Sequence, residues 1–352
     1  EAVSMSSTDP NALTESGSEK SATLTRRQFV AGAAAVTAAG GFTTTTTATA
    51  TPADTSNRAL QRPPLSFSEP PYGSARISTE GYRVLAEAEY QQQQKGNSIE
   101  YSKTVNAVKD LGCDPTGNEP IQDKIMNAAE DGMLIVFPPG IYLVTGGITL
   151  PNMGTFGMVG KGFESSTKPP KPGKNATVFN VKTGSPVNVF DCTIEAGHIG
   201  NMVLDRRESP QAGVKPHSMG NLRLRDIRVI GAQTYVGDAS ITATLTPVTL
   251  SDDSVLVAER FISRGGGIPG TKNIGACSGV GIYGRGGNRG TVILKDCVIA
   301  NSPNNGIYGS RTDATVYVLG GLYRNNDVNQ VRVNGDARVD GVDVVIDEKG
   351  KS

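Results

Sequence analysis

The chain has 352 residues, with 43 Gly, no Trp, two His, four Cys, and 34 Lys and Arg against 34 Asp and Glu. Zero net charge gives no support for non-specific nucleic-acid binding, which draws on a basic surface. With 19% charged and 37% hydrophobic residues, the chain is neither a coiled coil nor a strongly charged disordered polymer, and it carries apolar side chains enough for a core. It has no C-x-x-C, H-E-x-x-H, G-x-x-x-x-G-K or G-x-S-x-G motif.

Residues 1–24 are polar. Thr25-Arg26-Arg27-Gln28-Phe29-Val30 and the Ala/Gly-rich run 31–41 follow, and together they resemble a twin-arginine export signal. Ala48-Thr49-Ala50 fits a small-x-small cleavage site, so residues 1–50 read as N-region and signal. The apolar run is well short of the ~20 residues that span a bilayer. This predicts a secreted or cell-surface protein with no stable membrane span after cleavage. Residues 51–103, rich in Thr, Pro, Ser and Gln, read as a tether. Within it, 82–94 has helical propensity but no clear apolar stripe, and reads as linker or a loosely docked helix.

Order is expected from Thr104. A short strand leads into a turn at Asp114-Pro115-Thr116-Gly117. A helix is predicted from about Pro120, with Ile121, Ile125 and Ala128/Ala129 on one stripe. Strands follow at 133–137 and 141–144, separated by Pro138-Pro139-Gly140. This stretch, with Gly112, Asp114, Thr116, Gly117, the helix and Phe137-Pro138-Pro139-Gly140-x-Tyr142, resembles the N-terminal entry of the pectate-lyase-like superfamily, and in particular exported archaeal members of unassigned activity. The resemblance implies an all-β, right-handed parallel β-helix over 104–352 with an N-terminal capping helix. Lyases, hydrolases, epimerases and phage tailspikes share that entry, so it implies a fold and not a reaction.

An internal repeat supports the solenoid independently. Gly281-Ile282-Tyr283-Gly284 recurs as Gly306-Ile307-Tyr308-Gly309, then as Gln330-Val331-Arg332-Val333. Thr291-Val292-Ile293-Leu294 recurs as Thr315-Val316-Tyr317-Val318, with Val339 next in register. Val298, Leu322 and Val345 share a register, as do Asn301 with Asn325 and Asn305 with Asn329. Gly200-Asn201-Met202-Val203-Leu204 recurs 20 residues on as Gly220-Asn221-Leu222-Arg223-Leu224. A period of about 20–25 residues with short alternating strands predicts stacked coils. Ile282, Ile307 and Val331 are then stacked inside, with Gly and Asn at left-handed corners. Residues 232–274 and 161–175 break the period and are expected to loop out. The last coil is expected to be uncapped unless a partner, or the charged tail 348–351, blunts its edge.

Three surfaces carry candidate chemistry. Tyr283, Tyr308 and Arg332 form an outward ladder that Arg285 extends; aromatic faces stack on sugars and Arg forks onto carboxylates. A 20-residue register stacks Asp205 on Arg225, with Arg223, Asp226, Arg206, Arg207, Glu208 and Arg228 nearby. Such a cluster could neutralise a uronate and remove a proton, or serve only as an ion-pair ladder. Asp252-Asp253 has the look of an adjacent catalytic pair, but no Asn-Thr-Asp, Gly-His-Gly or Arg-Ile-Lys accompanies it, and it reads better as a turn. The Trp-x-Asp-His and Arg-x-Pro-x-x-Arg motifs of pectate lyases are also absent. His198 and His217 read as structural. Cys113, Cys192, Cys277 and Cys297 read as buried thiols or, for Cys277 and Cys297, as a possible disulfide between coils. Asn175-Ala176-Thr177 is a glycosylation sequon on a predicted loop. No metal site is visible; Ca2+ enters by fold analogy alone. The expected partner is an acidic polysaccharide, bound or cleaved by elimination or hydrolysis. The alternative is a non-catalytic surface or matrix protein that binds glycan or protein.

Overall fold

The computed structural model describes residues 77–94, 99–161, 175–233, 243–264, 278–284, 287–334 and 337–346. The signal and most of the tether, Cys277, Arg285 and the charged tail lie outside them.

The described chain winds as a parallel β-helix. Its first face stacks nine strands in the order Lys103–Asn106, Met133–Phe137, Ile148–Gly160, Phe190–Asp205, His217–Ile230, Val255–Ser263, Thr291–Lys295, Thr315–Leu319 and Arg338–Asp340. A second face continues after a corner, through Val298–Ala300, Leu322–Arg324 and Asp343–Val345 among others. A third carries Ala243–Leu245, Ser278–Gly284, Ile307–Thr312 and Val331–Val333. Alternation sets which side chains enter the core: Met133, Ile135 and Phe137 are buried, with Leu134 and Val136 between them less so. Leu222, Leu256, Val292 and Val316 stack inside on successive coils. Phe137, Tyr142, Phe179 and Phe190 pack edge-on and tilted at the N-terminal end, where the short helix Gln122–Ala128 adds Ile125, preceded by Ile121. That helix starts just after the predicted Pro120, which ends the strand Thr116–Pro120.

The corner between the first and second faces is one or two residues wide. Register puts Asn201, Asp226, Arg260, Asp296, Gly320 and Gly341 there on successive coils. All six have positive φ, between 51° and 65°. Asn, Asp and Gly tolerate this region best. Asn301 and Asn325 repeat the device after the second face, at φ 56° and 50°.

The register agrees with the 24-residue repeat at Val292–Val316, Val298–Leu322 and Ile307–Val331. Elsewhere it departs. Gly200 lies beside Arg225 and Met202 beside Ile227, so the coil step there is 25 residues and not 20. The two Gly-Asn words occupy different places: Asn201 turns the corner, whereas Asn221 lies within the first face. Val280, not Ile282, sits on Ile307, because a bulge separates Gly281 from Tyr283. Val339 faces Val318 and Asp343 faces Leu322, shifting the last coil relative to the expected Val316 and Val345. Within 232–274, Ala243–Leu245, Val248–Thr249 and Val255–Ser263 stack in register and do not loop out. Arg223 to Val257 and Val257 to Ile293 are steps of 34 and 36 residues, which hid these coils from a 24-residue template.

The helix Thr79–Gln94, inside the segment read as tether, docks across the first face. Leu85 and Ala88 pack with Ile77 on the outward side chains Val255, Val257, Ile293, Tyr317 and Leu319. The stripe is Ile77, Gly81, Leu85, Ala88 and Gln92, helical in spacing but masked in the sequence by its Gly and Gln. A Cβ at Gly81 would lie 2.5 Å from an Asp340 carboxylate oxygen, so the glycine permits the close approach.

Gly321, at φ 93°, tests the tightness of stacking, because a Cβ there would lie 2.3 Å from the Cys297 carbonyl oxygen. Gly321→Ala is expected to cost about 3 kcal/mol in urea unfolding. Asn325→Gly, at a left-handed corner with φ 50°, should stay within about 1 kcal/mol of the parent.

Candidate functional site

On the first face, strand alternation turns Leu222 and Leu224 inward and Arg223 and Arg225 outward. Register then sets His198, Arg223, Val257, Ile293 and Tyr317 in one outward row, and Gly200, Arg225, Glu259 and Lys295 in the next. The docked helix roofs the apolar end of these rows. Between roof and sheet remains a cavity of about 490 Å³, lined by Glu89 of the helix, Ile99, Tyr101, His198, Arg223, Arg225, Glu259 and Lys295 among others.

Glu259 is the hub. Its carboxylate accepts from Lys295 Nζ at 2.9 Å and from Arg260 at 2.5 Å, and Arg225 Nε lies 3.5 Å away. Burial would raise its pKa, but the hydrogen bond and charge of Lys295, with Arg260 and Arg225, outweigh this and hold it below the ordinary 4.5. Arg260 also forks onto Asp226, at 2.6 and 2.8 Å. Asp296, one coil further along the corner, is pushed up by burial.

His198 is mostly buried, and burial together with Arg225 and Arg223 holds its pKa below 6.5. Its ring fits beside Gly200: a Cβ there would lie 3.0 Å from Nε2 and 2.0 Å from the Arg225 carbonyl oxygen. Nε2 is sealed from solvent and makes no hydrogen bond. His217, with Nε2 3.0 Å from Asp191, is likewise held down, chiefly by burial.

Of the sequence candidates, Arg223 and Arg225 line the cavity, and Asp226 stands behind its wall, held by Arg260. Asp205 does not join them. With the 25-residue step it lies opposite Ile230 on the second face, where Arg207 grips it at 2.6–3.1 Å. It lines a separate cavity of about 380 Å³ with Asn180, Arg207 and Glu208. Arg206 is fully buried and ties coils together through the Ala212 and Gly231 carbonyls and the Thr244 hydroxyl. Asp252 and Asp253 occupy an exposed turn beside the end of the docked helix, where Gln92 Nε2 donates to the Asp253 carbonyl at 2.9 Å. Tyr283, Tyr308 and Arg332 do meet on the third face. The Tyr283 ring leans back over Gly281, which has no side chain to obstruct it, and reaches Tyr308 at 5.5 Å; Arg332 lies 5.1 Å from the Tyr308 ring centre. These groups stack on one another, so their inner faces are taken up within the ladder. Cys113, Cys192 and Cys297 are buried free thiols, and burial raises them to about 11, 12 and 12 respectively.

Glu259, Lys295 and Glu89 are missed by sequence reasoning. Steps of 34 and 36 residues join Arg225 to Glu259 and Glu259 to Lys295, and no repeated word marks them. Among the described residues no three His, Cys, Asp or Glu side chains gather as a metal site, and no helix is long and apolar enough to cross a membrane. No protein-family model, curated protein or solved structure matches the chain.

The buried ionisable groups of the first face predict acid sensitivity in two steps. Both histidines are depressed, so the unfolded chain gains protons below pH 6.5 that the folded chain refuses, and stability falls as pH drops through that value. The Glu259 contribution is full above 4.5 and is lost as pH falls below it. Urea midpoints should fall from pH 7 to 5 and more steeply below 4.5. In NMR titration the His198 ring should stay neutral through pH 6.5.

Proposed function

We propose that this protein is an exported β-helix protein of the pectate-lyase-like kind that binds an acidic saccharide in the cleft beneath the docked helix. One observation carries the reading: Arg223, Arg225 and Lys295 converge on a single cavity that holds only two carboxylates, Glu89 and Glu259. The excess is positive in a chain of zero net charge. Guanidinium forks suit the carboxylate of a uronate, and Tyr101 adds an aromatic edge to the wall. Arg225 is half-exposed and its carboxylate contacts are loose, at 3.5 and 3.6 Å, which leaves its donors open to a ligand.

The state of the acid–base groups favours binding over cleavage. Hydrolysis needs a carboxyl kept protonated near neutrality, whereas Glu259 is held ionised by its cations. Elimination needs an accessible base; His198 Nε2 is sealed off, and the other basic groups of the wall are engaged by carboxylates, Arg225 and Lys295 by Glu259 and Arg223 by Glu89. The surface or extracellular matrix is the matching location for such a binder.

Calorimetric titration of the full chain with uronate oligosaccharides, beside a neutral oligosaccharide, tests this. Uronates should bind, more weakly as salt rises, and Arg225→Ala should reduce affinity about tenfold, the scale of one charged hydrogen bond. Absorbance near 235 nm should stay flat; a steady rise would convert the binder into a lyase. No heat with any uronate would sink the proposal.

A further inference from the structure

The geometry points to the helix Thr79–Gln94 as a built-in competitor, with its C-terminal half a latch that an acidic ligand displaces. This rests on the reading of the cleft as an acidic-saccharide site. The helix lies along the solenoid axis, across the strands. Its N-terminal end is anchored on the last coil. Ser78 N donates to Asp340 Oδ2 at 3.1 Å, the Ser78 hydroxyl donates to the same oxygen, and Ser78 Oγ accepts from Gly81 N at 3.1 Å, capping the helix. Arg338 pairs with Glu80 at 3.1 Å, and Ile77 is buried with Ile293 and Leu319.

The other end is held differently. Beyond Ala88 its inward contacts are polar: Glu89 with Arg223 at 3.2 Å and Gln92 with the Asp253 carbonyl at 2.9 Å. Glu89 thus sets a carboxylate on a guanidinium of the cleft, the same pairing a uronate would make. Both partners are partly in water, Arg223 at 38% and Glu89 at 52% exposure. Such pairs are weak and screened by salt, so an incoming carboxylate can take Arg223 while the anchored end stays in place. The cleft's affinity is therefore set partly by its own roof.

The test uses the full chain and two variants, Glu89→Gln and Glu87→Gln. Glu89→Gln keeps the side chain's shape but frees Arg223, and should tighten uronate binding about two- to fivefold, the scale of an exposed ion pair. Glu87→Gln makes the same charge change on the exposed side of the helix, where Glu87 pairs with Arg83, and should leave affinity unchanged. Hydrogen exchange followed by mass spectrometry should show residues 89–94 losing protection when the uronate binds, while residues 79–85 keep theirs. Binding by the parent with no gain in Glu89→Gln, or equal gains in both variants, overturns the competitor while leaving the cleft assignment intact. Increased protection of 89–94 on binding also overturns it. Absence of binding in all three proteins overturns both.

Discussion

A left-handed residue at the same corner of successive coils is the constraint on which the rest of the molecule depends. Strand alternation has a period of two, so a slip of one residue at that corner would turn every side chain of the next face inside out. Four of the six corner positions are held by residues other than glycine, at φ 51–56°. Arg260 is the costly one, since a long side chain gains nothing from that backbone. Its guanidinium forks onto Asp226, the corner residue one coil earlier. The strained positions are thus tied to each other across the stack. Arg225, Glu259 and Lys295 each immediately precede a corner residue, so the device that bends the chain also fixes the row of charges.

How much of this could be read from the sequence depended on whether a coil resembled its neighbour. The strands at 291–295 and 315–319 share a word and a length, and their pairing follows directly from the sequence. The Gly-Asn words near 200 and 220 also match, yet one lies at a corner and the other along a face, and matching them moved Asp205 onto Arg225. Chemistry was hardest to see where the coils are longest. Glu259 and Lys295 are ordinary charged residues in ordinary strands, and only stacking tells that they share a row. The docked helix was half legible: its propensity was plain, but its buried stripe is completed by a glycine and a glutamine, neither of which registers as apolar.

The cleft also shows why total charge says little about recognition. The chain balances 34 cations against 34 anions, yet one row of the first face gathers Arg225, Glu259 and Lys295 within reach of one another. Lys295, Arg260 and Arg225 hold Glu259 below its ordinary value against the effect of burial, whereas His198 is lowered first by burial and then by Arg225 and Arg223. The Tyr ladder on the third face took the opposite course. Its aromatic and cationic groups stack from coil to coil, Tyr283 on Tyr308 and Arg332 on Tyr308.

A solenoid is quasi-one-dimensional: each coil touches only the coils next to it, and melting can proceed turn by turn from an end. The docked helix breaks that rule. It reaches Asp340 at one end and Arg223 at the other, four strand spacings away, or about 19 Å along the axis. It therefore acts as a splint. While it is bound, the coils it packs on through Val255, Val257, Ile293, Tyr317 and Leu319 are held together, and the opening of any one of them is coupled to the others.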